Sequence, residues 1–384
     1  MERKNQGENG GRHGFYRCMI AASTGPETLQ YLKLIRGEER GMMPMLVRGS
    51  LRLASIPYGL GVCVRNWLFD RDWKSRYAAA VPVISVGNLT LGGTGKTPCV
   101  EYLARWFRAR DMRVALLSRG YGSAGGGNDE ALVLEENLPD VPHLQGHDRA
   151  ALARIAVTEL ESEVLILDDG FQHRRLRRDL DLVLVDATCP WGQGYLFPRG
   201  LLREPPASLR RADMVLLTRC DQAEDTAVAD IRQCIARLAP GVPVMETRHR
   251  PASWINASRH TLSLADLAVR PVAGFCGIGN PDAFLRTLEQ CGCRVVAWRT
   301  FADHHGYTRG DIDDLGRWAA GLPADAAVVT TQKDLVKIRL DRLGGREVWA
   351  LKIALQVMKG QETLEEKLLG LKIGVGEGRE RKSD

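Results

Sequence analysis

Apolar positions along the chain follow two different rhythms. Between residues 44 and 77, Leu46, Leu51, Leu53, Ile56, Leu60, Val64, Trp67 and Leu68 form an apolar set interrupted by Arg48, Arg52, Arg65, Arg71, Lys74 and Arg76. The pattern predicts an amphipathic helical segment over 44–80. Its longest uncharged run, 53–64, is about a dozen residues, where a membrane span needs roughly 20. The segment cannot cross a bilayer alone. A basic amphipathic stretch carrying Tyr58, Trp67 and Trp73 suits the headgroup layer, and a helix packed on the protein core accounts for the same pattern.

From residue 81 onward, short apolar runs alternate with helix-length stretches. Runs at 81–86, 114–117, 164–167, 182–185 and 214–217 predict buried strands, and 98–110 predicts a helix. Continuous apolar runs separated in this way indicate an α/β fold with a mostly parallel sheet covered on both faces. A second series at 272–275, 295–298 and 326–330, separated by helical patterns at 281–291 and 308–321, predicts a smaller second α/β domain. The expected organisation is a disordered extension over 1–43, the amphipathic segment over 44–80, a first domain over 81–250, a second over 251–352, and a charged tail over 353–384. Gly125–Gly127 reads as a flexible loop.

Composition changes this picture little. The 384 residues are 44% hydrophobic and 26% charged, as in an ordinary soluble globular protein, and the formal net charge is +6. That mild excess suits an anionic substrate or an acidic membrane surface without demanding nucleic acid. Nine cysteines are scattered without a CxxC pair, which predicts reduced thiols in a cytoplasmic protein. The opening Met-Glu-Arg-Lys-Asn-Gln has no apolar core of the signal-peptide kind.

Candidate chemistry begins at Thr90-Leu91-Gly92-Gly93-Thr94-Gly95-Lys96-Thr97-Pro98, between a predicted strand and a predicted helix. It ends like a Walker A loop, with Thr90 in place of the usual first glycine. The glycines let backbone N–H groups face phosphates, Lys96 can reach the β- and γ-phosphates, and the Thr97 hydroxyl can ligate Mg²⁺. These features predict ATP binding through Gly92, Gly93, Thr94, Gly95, Lys96 and Thr97. A second signal is an apolar strand ending in Asp168-Asp169-Gly-Phe-Gln-His173. There one carboxylate can hold Mg²⁺ and the other can orient it or poise a hydroxyl. Two weaker stretches follow: the basic run Arg174–Arg178, and Pro198-Arg-Gly-Leu-Leu-Arg203-Glu204-Pro205 in a turn-rich loop.

Together these stretches resemble the tetraacyldisaccharide 4′-kinases of lipid A biosynthesis. The matching segments are Val83 to Pro98, Ser118-Arg-Gly-Tyr-Gly122, Asp168 to His173, Leu201-Leu-Arg-Glu-Pro205, Phe301-Ala-Asp-His304 and Thr331-Gln-Lys-Asp-Leu-Val-Lys337, in family order over about 44–352. The family's loop also lacks the first glycine. The resemblance implies transfer of the ATP γ-phosphoryl to the 4′-hydroxyl of a tetraacyldisaccharide 1-phosphate, giving lipid IVA, with Mg²⁺ as cofactor. It implies a monomer acting peripherally on the cytoplasmic face of the inner membrane, with the 44–77 segment as docking surface. It further implies Asp129 as catalytic base, with His304 supporting its charge and position alongside Lys96 and Asp169, and Thr97, Asp168 and Glu204 around the metal. Gln332 stands where the family commonly has Glu, which makes that position supportive.

Three other readings compete. Thr218-Arg219-Cys220-Asp221 faintly resembles a guanine-reading element but lacks its Asn and has Arg for Lys. Asp303-His304-His305 alone could suggest a phosphoesterase, without any accompanying metal cluster. A non-enzymatic nucleotide-binding adaptor is disfavoured by the intact Lys96, Thr97, Asp168 and Asp169.

Overall fold

The computed structural model describes residues 26–120 and 129–371. Within them the helices are α1 (Pro26–Arg36), α2 (Met42–Asp70), α3 (Lys96–Arg108), α4 (Asp129–Asn137), α5 (Arg149–Thr158), α6 (Asp225–Leu238), α7 (Leu264–Ala268), α8 (Pro281–Gln290), α9 (Arg309–Ala320), α10 (Gln332–Ile338) and α11 (Gln361–Leu369). The strands are β1 (Val83–Asn88), β2 (Val114–Ser118), β3 (His143–Gln145), β4 (Val164–Asp168), β5 (Leu180–Asp186), β6 (Met214–Thr218) and β7 (Val244–Ile255) in the first half. Then come β8 (Thr261–Leu262), β9 (Pro271–Cys276), β10 (Arg294–Thr300), β11 (Ala327–Thr331), β12 (Arg342–Leu343) and β13 (Arg346–Lys359).

One sheet runs through the molecule in the order β10-β9-β11-β13-β7-β6-β5-β1-β4-β2-β3, with β8 and β12 pairing off the path. From β7 to β3 every pairing is parallel, and so is every pairing from β13 to β10. The two halves meet where β7 and β13 pair antiparallel over most of their length. β1, β2, β4 and β6 are buried along their whole length, which is why they read as unbroken apolar runs.

The domain boundary expected at 250 falls inside β7, so the halves share strands. Neither long seam strand is among those the apolar runs predict, although β13 carries a buried apolar stretch at 348–351. β7 carries Arg248, Arg250 and Pro251, and its buried and half-buried positions are mixed. Pro251, which lacks an N–H for the ladder, sits at the register shift opposite Lys352 and Ile353. The charged tail expected from 353 is folded as far as 371. β13 continues to Lys359, and α11 buries Leu364 and Leu368 in the core that holds Leu103 and Phe107 of α3. The disorder expected over 1–43 is likewise interrupted by α1, whose Leu32 and Ile35 are buried with Leu201. Residues 1–25, the 121–128 segment with its Gly125–Gly127 loop, and 372–384 lie outside the described residues. Cys63, Cys99, Cys220, Cys234, Cys276, Cys291 and Cys293 are free thiols, whereas Cys189 is disulfide-bonded, against the expectation that all are reduced.

Helix α2 is 29 residues long and two-faced. Leu53, Ile56, Leu60, Val64 and Trp67 point outward and are 45–68% exposed, while Ser55, Gly59, Val62, Asn66 and Phe69 face the protein and are buried. Among the described residues no helix is long and apolar enough to cross a membrane.

Candidate active site

The phosphate loop leaves β1 and ends at Gly95, the N-cap of α3. Gly92 and Gly95 have φ of 111° and 87°, a region that L side chains rarely enter. Gly95 is required twice over, because a Cβ there would lie 2.4 Å from Nε2 of His249 on β7. The loop is braced from outside. Asn88 Nδ2 donates to the Thr90 carbonyl at 2.8 Å, Thr218 Oγ1 to that of Thr94 at 2.9 Å, and Arg219 Nη2 to that of Gly93 at 2.9 Å. Arg219 also pairs with Asp186. The stretch that resembled a guanine-reading element therefore has Thr218 and Arg219 committed to holding the phosphate loop.

β4 lies beside β1, with Val86 level with Asp168, so the carboxylates at its end stand next to the loop. The two neighbours have opposite electrostatics. Burial pushes Asp168 up to about 6 against the attraction of Lys96, and its Oδ1 is buried with no hydrogen-bond partner among the described residues. For Asp169, burial also pushes upward, but Lys96 and Arg203 outweigh it and hold the carboxyl below its usual range. Lys96 Nζ is 3.6 Å from Asp169 Oδ1, and Arg203 Nη1 donates to both oxygens of that carboxylate at 2.9 Å. Asp169 takes a left-handed φ of 51°, uncommon for a non-glycine residue and held here by these two cations.

The second half supplies the other side of the site. Asp129 opens α4, which packs between α3 and α10. Its Oδ2 meets two groups from across the seam: His304 Nδ1 at 2.8 Å, from the turn after β10, and Lys337 Nζ at 2.9 Å, from α10. Burial pushes the Asp129 carboxyl up, yet the His304 and Lys337 contacts prevail and hold it at about 2. The same hydrogen bond raises His304 above its ordinary value. The opposite directions are the two ends of one hydrogen bond. Glu130 is held below its usual range first by Lys333, 2.8 Å away on α10, and feels Lys96 as well. Its field thus joins the phosphate loop to the Asp129 cluster.

Glu204, expected at the metal, is not there. Its side chain is fully buried, and its oxygens accept from Arg65 Nη2 at 3.1 Å, Asn66 Nδ2 at 2.7 Å and Arg211 Nη2 at 2.9 Å. Both oxygens are consumed in fixing α2 to the core, and a metal would have to displace two guanidinium groups. Gln332 exchanges hydrogen bonds with Asn137 at 3.0 and 3.3 Å, and Asn137 also binds Glu101 and Lys352. That position seats α10 on α4. In the basic run, Arg174 pairs with Asp70 of α2 and Arg178 with Asp181, so these two are structural. His305, in the suspected Asp-His-His triplet, turns to Asp311 instead.

Sequence reasoning missed Lys337, the Glu130–Lys333 pair and Arg149, whose Nη1 donates to the Asp169 carbonyl at 3.2 Å. Lys337 was visible only as the last residue of a matched stretch. Its distance from Asp129 in the chain gave no sign that the two touch.

A phosphate loop at the switch from strand to helix, two carboxylates beside it, and a hydrogen-bonded Asp–His pair across from them define a P-loop phosphotransferase. Comparison with known proteins gives the family. The family description "Tetraacyldisaccharide-1-P 4′-kinase" matches residues 47–372. The tetraacyldisaccharide 4′-kinase of Anaeromyxobacter dehalogenans is 40% identical over 348 residues, covering 85% of this chain and 92% of its own. That of Geobacter metallireducens is 38% identical over 350 residues, covering 85% and 100%. The crystal structure of an "apo" form of LpxK from Aquifex aeolicus in complex with ATP superposes with a TM-score of 0.69 at 31% identity, covering 84% of this chain and 98% of that one. The chain belongs to the tetraacyldisaccharide 4′-kinase family.

Proposed function

We propose that this kinase transfers the γ-phosphoryl of ATP to the 4′-hydroxyl of tetraacyldisaccharide 1-phosphate by in-line attack, with the phosphate grip in one half of the sheet and the proton acceptor in the other. The observation that supports this division most directly is the 2.8 Å contact between Asp129 and His304 across the seam, on the side of the site where Glu130 feels Lys96.

Backbone N–H groups of Gly93 to Thr97 and the α3 dipole cradle the β- and γ-phosphates, and Lys96 neutralises charge on the oxygens as the bond to the leaving group lengthens. Asp169, held by Arg203, fixes the Lys96 ammonium from the side. Asp129 takes the 4′-hydroxyl proton. Its Oδ2 is committed to His304 and Lys337, which leaves Oδ1 as the accepting atom. A carboxylate held near 2 is a weak base, which suits a loose transition state, where the hydroxyl proton leaves late. His304 and Lys337 keep the carboxylate ionised and aimed between turnovers.

The residues present fit Mg²⁺. Asp168 offers a buried oxygen without a protein partner, and Thr97 a hydroxyl in the first turn of α3. Among the described residues no group of three or more His, Cys, Asp or Glu could hold a metal by itself. Mg²⁺ bound through nucleotide phosphates and water needs only one or two protein oxygens. When bound, it would supply positive charge that offsets the negative charge of the nucleotide phosphates.

The outward stripe of α2, flanked by Arg48, Arg52 and Arg71, fits a helix lying in the headgroup layer on the cytoplasmic face of the inner membrane, where the lipid acceptor resides. The test is a radiolabelled γ-phosphate assay with tetraacyldisaccharide 1-phosphate in anionic vesicles, run beside a hydrolysis control. Label in the lipid fraction at the 4′ position is expected. Label released only as inorganic phosphate would exclude the kinase reading.

A further inference from the structure

Helix α2 is bonded to the segment that borders the phosphate loop. Its inward face grips the 195–204 segment along its length. Ser55 Oγ donates to the Leu196 carbonyl at 3.0 Å, and Gly59 has no room for a Cβ, which would come 2.8 Å from Leu196 Cδ1. Tyr58 OH donates to the carbonyl of Arg203 at 3.0 Å, while Arg65 and Asn66 bind the next side chain, Glu204. On its other side the same segment is stitched to the start of the phosphate loop. Leu91 N donates to Leu201 O at 2.7 Å, and Arg203 N to Leu89 O at 2.7 Å. The Arg203 side chain then closes on both oxygens of Asp169.

We propose that α2 is a positioning element for phosphoryl transfer, and that Tyr58 and Asn66 are the positioning residues through which it acts. They hold the Arg203–Glu204 pair from the α2 side, so that Arg203 stays on both oxygens of Asp169 and Asp169 keeps Lys96 in place. No group on α2 touches the reacting atoms; its effect passes through Arg203. Two features argue for a device rather than incidental packing. A fully buried carboxylate saturated by two arginines and an amide is a costly way to seat a helix that apolar contacts could seat alone. Its neighbour in the chain is also the residue that clamps the site. A helix lying on the lipid surface is thereby connected to the phosphate loop by a continuous path of hydrogen bonds, so its seating and the geometry of the site are set together.

This inference rests on the kinase reading and on α2 being the lipid-facing helix. Its test uses the full chain with tetraacyldisaccharide 1-phosphate in anionic vesicles, comparing wild type, Tyr58→Phe and Asn66→Leu. Three quantities are read: sedimentation with vesicles, ATP affinity by calorimetry, and kcat. Both substitutions face inward and leave the outward stripe intact, so vesicle binding should stay within about twofold of wild type and ATP affinity within about threefold. A misplacement of about 1 Å at a reacting group costs up to about 10²-fold in rate, so kcat should fall about 10- to 100-fold for Asn66→Leu and about 3- to 10-fold for Tyr58→Phe. Wild-type kcat in both variants would overturn the proposal, as would a kcat loss that tracks loss of vesicle binding. Tyr58→Phe removes one hydroxyl and keeps the ring, so it decides the matter if Asn66→Leu does not fold. A wild-type protein that transfers no label fails the kinase reading, a result distinct from either.

Discussion

The two halves of the sheet contribute to the site in different ways. The half from β3 to β7 offers mainly backbone to the proposed phosphate site: a glycine loop, a helix N-terminus, and loop carbonyls braced by Asn88, Thr218 and Arg219. The half from β13 to β10 contributes side chains alone, His304, Lys333 and Lys337, all aimed across the seam at the first two residues of α4. In the proposed mechanism nucleotide binding draws on the first half alone and placing the base draws on both, so catalysis would depend on how the halves are set against each other in a way that ATP affinity would not. The continuous β7–β13 pair and the Gln332–Asn137 exchange fix that setting.

The carboxylates sharpen the same contrast. Asp168, buried with an oxygen that has no hydrogen-bond partner among the described residues, is pushed up to about 6, while Asp129, held by His304 and Lys337, sits at about 2. The first is an electrostatic cost of burying a carboxylate beside the phosphate loop. The second is satisfied within the protein.

The largest effect is expected from Lys96→Ala. Removing a preorganised charge from a phosphoryl-transfer site costs at least about 10²- to 10³-fold in kcat. Activity near wild type in a γ-phosphate assay would remove the phosphate loop from the mechanism. Lys337→Met strikes the second half alone. It should lower kcat about 10-fold and raise the Asp129 pKa, since one of two stabilising donors is gone, so that activity is lost at higher pH on the acid side. A pH–rate profile superposable on that of wild type would show that Lys337 only props α10. The smallest effect is on stability. Asp168 titrates higher in the folded chain than in the unfolded one, so its charge costs the fold stability as pH rises through about 4 to 6, and above that window the full cost applies. Asp168→Asn should therefore stabilise the nucleotide-free protein at pH 7.5 by about 1–3 kcal/mol while abolishing transfer. Unchanged stability in denaturant melts at pH 7.5, or an equal gain at pH 4, would contradict this.

Much of the first half could be read from the sequence, because strands buried on both faces leave unbroken apolar runs and the phosphate loop has fixed spacing. The family resemblance carried Asp129 and His304, which spacing alone could not have joined across 175 positions. What the chain hid was the seam. β7 is broken by Glu246, Arg248, Arg250 and Pro251, and β13 carries the short apolar stretch 348–351 within its 14 residues, so the continuity of the sheet through them followed only from their pairing. Glu204 misled for a related reason. A carboxylate beside an arginine in a site loop reads as a ligand, and nothing local shows that two arginines and an asparagine from elsewhere already fill it.

The most direct test of the division between the halves is Asp129→Asn, with ATP affinity measured by calorimetry and kcat by γ-phosphate transfer to tetraacyldisaccharide 1-phosphate. The substitution keeps the shape and removes the acceptor, so kcat should fall about 10²- to 10⁴-fold with ATP affinity within about threefold of wild type. Equal losses in both, or a kcat near that of wild type, would contradict the account.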